Sequence, residues 1–80
     1  MDPVECGHQG LLAQEAGALD DAVLLFTTGI QLTPPSRPKL ASKLLKDRAE
    51  CYWGLQRKEE ACADMKTALE LCPGIKAREF

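Results

Sequence analysis

Few residues of this chain are spaced for chemistry. Cys6-x-His8 places a thiol and an imidazole two positions apart, the only pair that resembles half of a metal site. A zinc centre needs four such ligands, and no second pair follows at zinc-site spacing. No metal and no cofactor are therefore expected. His8 could act as a base only beside a nucleophile and an orienting acid, which the sequence does not supply, so it reads as a solvated residue. Asp20–Asp21 and Glu59–Glu60 look like paired carboxylates for acid–base work. Each pair falls where a helix begins, however, and negative charge there complements the helix dipole. With no Gly-rich phosphate loop and no nucleophile elbow, the chain is expected to be no enzyme, with no catalytic residue.

The elements that carry these residues are helical. Asp2 can cap a first helix over about residues 3–16, with Pro3 at its first position and Glu5 where a capping-box acid belongs. Gly17 breaks it. A second helix spans about 19–32, its apolar residues Leu19, Ala22, Val23, Phe26 and Ile30 recurring at helical spacing. Thr33-Pro34-Pro35-Ser36 stops it. Ser36 is a candidate cap for a third helix running to about Trp53, with Leu40, Leu44, Leu45, Ala49 and Tyr52 on one face. Gly54 ends that helix. A fourth spans about 57–72, with Ala61, Met65, Ala68, Leu69 and Cys72 on one face, and Pro73-Gly74 stops it. The tail IKAREF is too short to fold alone.

Charge is unevenly shared. Residues 1–36 carry five acidic residues and no Lys or Arg, a charge of −5; residues 37–80 hold all ten basic residues against seven acidic ones, a charge of +3. Such a molecule can stack head to tail or dock a partner of mixed charge. It lacks the basic patch that nucleic acid requires. No apolar run approaches the roughly 20 residues of a membrane span. The opening MDPVEC has neither the basic nor the apolar region of a secretory leader. The four cysteines (6, 51, 62 and 72) lack a disulfide framework's spacing and read as small buried apolar residues. The cytoplasm is the expected compartment, with the nucleus as the alternative.

The helices also repeat. Gly10, Ala22, Phe26, Gly29 and Pro34 are echoed 39 residues later by Ala49, Ala61, Met65, Ala68 and Pro73. Small residues at matching places let two antiparallel helices cross closely, and Phe26 and Met65 fill the space between layers. A two-helix unit occurring twice points to a stacked solenoid.

At these residues the chain resembles the tetratricopeptide repeat family, whose pattern is about 34 residues long. Residues 42–75 fit best: Ala49, Tyr52, Ala61, Ala68, Leu69 and Pro73 stand where the family has small, aromatic, small, small, large and proline. The stretch RAECYWGLQRKEEACADMKTALELCP is similar to repeats of the co-chaperone class. Residues 3–36 agree at Gly10, Gly17, Ala22, Phe26 and Pro34, but carry Ala13 where Tyr is usual. The surplus of about five residues is placed around Pro35–Leu40, in the connection or the start of the third helix.

The resemblance implies an all-α fold, two stacked antiparallel helix hairpins forming one domain over residues 1–80. It implies a protein-binding adaptor whose concave groove is lined by the first helix of each pair. Carried over by position, the groove residues are Val4, Gly7, His8, Leu11, Gln14 and Glu15 from the first repeat. Those from the second are Lys43, Lys46, Asp47, Glu50 and Trp53. A subset of the family clamps acidic chaperone tails with Lys and Asn; here Gly7, Leu11 and Asp47 hold those places, so a chaperone tail is not the expected partner. The alternative function is structural: a self-associating unit, or a fragment or short isoform of a longer solenoid, its fourth helix exposing apolar surface.

Overall fold

The computed structural model describes residues 2–74. It contains four α-helices: α1 (Pro3–Glu15), α2 (Leu19–Leu32), α3 (Pro38–Gly54) and α4 (Lys58–Leu71). The helices form two antiparallel hairpins, α1–α2 and α3–α4, stacked through α3, which packs on both α2 and α1. The tail beyond Gly74, including the IKAREF reading, lies outside the described residues.

The Asp2 cap forms as expected: its Oδ1 accepts from the Glu5 amide at 2.8 Å. The Glu5 carboxylate accepts from Gln9 Nε2 at 3.0 Å, one turn on. Ser36 does not cap α3. Arg37 occupies that position without a side-chain hydrogen bond, because Thr33–Arg37 closes as a turn, with the Arg37 amide donating to the Pro34 carbonyl. The surplus residues therefore lengthen the start of α3, not its connection.

The two hairpins close with the same turn. The Ala18 amide donates to Ala13 and the Gly17 amide to Gln14; 39 residues later Arg57 donates to Tyr52 and Gln56 to Trp53. These bonds satisfy carbonyls left over at a helix C-terminus, and the turn needs one residue at positive φ. Gly17 takes it at φ 82° and Gln56 at φ 65°. Gly54 is the last residue of α3, as expected, and it also allows close approach: a Cβ there would lie 2.8 Å from Leu19 Cδ1.

The core has two centres. Ala22, Phe26, Leu44 and Cys51 are buried together, joining α2 to α3. Ala49, Ala61 and Met65 form the second, inside the α3–α4 hairpin. Both repeat-defining alanines, Ala22 and Ala61, are wholly buried, as close helix crossing requires. Of the cysteines, Cys6 and Cys51 are buried as expected, but Cys62 is exposed and Cys72 is half-buried beyond the end of α4. Cys62 points away from the face that Ala61, Met65 and Ala68 share.

A polar network ties three helices together. Arg48 on α3 grips Asp64 on α4 with both arms of its guanidinium, Nε to Oδ2 at 2.6 Å and Nη2 to Oδ1 at 2.7 Å. Its Nη1 donates to Thr27 Oγ1 on α2 at 3.1 Å. The guanidinium also lies 5.5 Å from the Tyr52 ring centre. The hydrogen bond to Asp64 holds the Arg48 proton more firmly than usual, outweighing burial, which acts the other way. Ser42, also buried, donates to the Ala68 carbonyl at 2.9 Å.

Candidate functional site: the recess between α1 and α3

The extra first turn of α3 positions the site. It carries Leu40 alongside Leu44 toward the N-terminal half of α1. Together with Val4, Gly7, His8, Leu11 and Lys43 these residues enclose a recess of about 200 Å³. Gly7 lines it for a packing reason: a Cβ there would lie 2.9 Å from Leu44 Cδ2, so the glycine lets α1 and α3 approach. Leu44 is buried and makes the floor, while Val4, His8 and Lys43 stand exposed at the mouth.

The sequence-derived residues divide into groups. Val4, His8, Leu11 and Lys43 line the recess itself. Gln14 and Glu50 meet further along the two helices, Gln14 Nε2 donating to Glu50 Oε2 at 3.5 Å. Glu15 is exposed at the last position of α1, and Lys46 is half-buried on α3. Lys43 Nζ pairs with Asp47 Oδ2 at 3.3 Å, one helical turn apart. Burial raises the Asp47 pKa, and the pull of Lys43 only partly offsets this. Trp53 packs against the Ala49–Ala61–Met65 centre, with the Lys58 ammonium 5.2 Å from its ring centre.

Leu40 and Leu44 were absent from the groove set. Their spacing marked them as the apolar face of α3; Leu40 reaches the recess from the extra first turn, and Leu44 faces Gly7 from the turn that follows. The recess is thus an apolar floor under one imidazole and one ammonium. It holds no triad and no ligand set, and among the described residues no group of three or more His, Cys, Asp or Glu could hold a metal.

A family model described as tetratricopeptide repeat matches residues 42–75. Residues 42–75 are a tetratricopeptide repeat. The match begins at Ser42 and takes in most of α3, all of α4 and the Pro73-Gly74 stop. Repeats of this family generally mediate protein–protein interactions, and they are typically not enzymes. Searches among curated proteins and among solved structures gave no match. Among the described residues no helix is long and apolar enough to cross a membrane.

Proposed function

We propose that residues 3–36 are a first tetratricopeptide repeat beside the second, and that the chain is an interaction module taking a segment of a partner protein into the α1–α3 recess. The observation that carries this is the lining itself: apolar Leu40 and Leu44 beneath, Val4 and Leu11 at the side, and His8 and Lys43 at the rim. Such a lining suits a segment that inserts one apolar side chain and offers an acceptor oxygen to Lys43. In the Lys43–Asp47 pair it is Lys43 that stands exposed, whereas the Asp47 side chain is largely covered, so the ammonium is the end of the pair that a partner's oxygen can reach. Gln14, Glu15, Lys46, Asp47, Glu50 and Trp53 extend the contact along the two helices. Panning a peptide library against the chain tests the reading. Val4→Asp/Lys43→Glu alters two exposed residues and leaves the core intact; it is expected to weaken the recovered peptides at least about tenfold, or about 1.4 kcal/mol. Undiminished affinity in that variant, with an unchanged circular dichroism spectrum, would remove the recess from the function.

A further inference from the structure

The stack contains its own example of how one hairpin covers another. α2 lies on the α3–α4 hairpin: Leu19 meets Gly54, Thr27 meets Arg48, and Val23 and Ile30 pack against the centre that includes Cys51. The 39-residue offset shows the same face on the first hairpin. There Gly54, Arg48, Cys51 and Asp64 become Glu15, Gln9, Leu12 and Leu25. Within the described residues that face is open. Leu12 is 48% exposed whereas Cys51 is fully buried. A shallow apolar depression runs between Gln9, Leu12, Ala13 and Leu25, with Asp21 and Leu24 at its edge.

The offset also shows what α4 offers. Leu19, Val23, Thr27 and Ile30 become Lys58, Cys62, Lys66 and Leu69. Laid on the open face of another molecule as α2 lies on α3, α4 brings Lys58 to Glu15, Cys62 to Leu12, and Lys66 to Gln9 and the Glu5 beside it. Lys58 already lies over the Trp53 ring, and its ammonium has three donors to share. The acceptor hairpin carries no Lys or Arg. Both lysines of the contact therefore meet opposite charge without a competing cation.

We infer that the open face of the first hairpin receives α4 of a second copy, head to tail, in continuation of the internal stack. The contact is heterologous and does not close on itself, so it builds short arrays whose length rises with concentration. It shares no lining residue with the α1–α3 recess and meets the extended partner contact only at Glu15, the last residue of α1.

Sedimentation of the full chain tests it, from about 10 μM to about 1 mM, at low and high salt. Raising ionic strength from about 0.01 M to about 1 M shortens the screening length from roughly 30 Å to roughly 3 Å. The expected result is a mass that climbs with concentration and falls with salt. Leu12→Asp and Lys66→Glu, both at exposed positions, should each weaken association about tenfold. Lys58→Glu and Glu15→Lys should each weaken it too, and mixing these two variants should restore arrays in which the two alternate, since each contact then again pairs opposite charges. A wild-type chain that stays monomeric throughout overturns the proposal, as does association indifferent to Leu12→Asp. Association abolished by the recess variant Val4→Asp/Lys43→Glu also overturns it, since copies would then meet through the recess.

Discussion

The two hairpins solve one packing problem with different side chains. In the first, the rigid Phe26 ring lies so close to α1 that a Cβ on Gly10 would sit 2.6 Å from Phe26 Cε1. In the second, the flexible Met65 takes the place of Phe26, and Ala49 takes that of Gly10. The first hairpin joins its helices through apolar contact, with Gln9 and Leu25 where the second carries Arg48 and Asp64. The first sets glycine at the positive-φ turn position and the second sets glutamine. One repeat grammar thus tolerates exchange at paired positions, provided both members change together.

The ion pair should matter most to this contrast. Arg48 and Asp64 side chains are only 17% and 11% exposed, so removing either leaves a charge with little water. Arg48→Ala or Asp64→Ala is expected to cost about 3 kcal/mol in urea unfolding. Arg48→Gln/Asp64→Leu transplants the first hairpin's pair and should recover most of that loss. If the double change is as damaging as the single ones, the two hairpins are not interchangeable here.

Next comes the glycine contact. Gly10→Ala gains up to about 1 kcal/mol of helix propensity but forces the Phe26 ring aside, for a net loss of about 1–2 kcal/mol. Adding Phe26→Met imports the second hairpin's arrangement and should narrow the deficit in the same denaturation assay. At the turn, Gln56→Gly removes a strained backbone conformation and should stabilise by about 0.5–1 kcal/mol. Gly17→Ala should have the opposite sign. Both are read as shifts in melting temperature.

The remaining effects are smaller and concern titration. The raised Asp47 pKa means that the folded chain holds the carboxyl proton more tightly than the unfolded one. That group therefore favours folding below pH 3.8 and loses its contribution as pH rises through the folded value. Asp47→Asn should melt higher than the parent at pH 7, the gap closing in acid. Burial, with Asp47 and Glu50 nearby, pushes the Cys51 thiol up from 9.0 to about 11. Stability tied to it should fall between those two pH values. At pH 8, iodoacetamide followed by mass spectrometry should label exposed Cys62 rapidly and leave Cys51 unmodified until the chain unfolds.

Helix boundaries were legible because local signals agree: Asp2 as cap, Pro34-Pro35 and Pro73-Gly74 as stops, and alanines at the crossing points. The Arg48–Asp64 grip was not, because a 16-residue separation carries no periodic signal and two charged residues on helices read as solvated. Ser42 was missed for a related reason, since a small residue looks alike on either face of a helix. The fourth helix was expected to expose apolar surface. Instead, exposed large apolar residues concentrate on the first hairpin, at Val4, Leu12, Leu24 and Leu32, with only Leu71 on α4. Lys58, Cys62 and Lys66 give the outer side of α4 its polarity. The recess was readable at Val4, Gly7, His8, Leu11 and Lys43; Leu40 and Leu44 were not, because apolar residues at helical spacing read as core.

Because α2 and α4 share no direct packing, cohesion between the hairpins passes through α3. Contacts of this kind are short in sequence, a topology associated with rapid folding. Amide exchange should accordingly resolve two opening units, α1–α2 and α3–α4, with the slowest protons along the middle of α3.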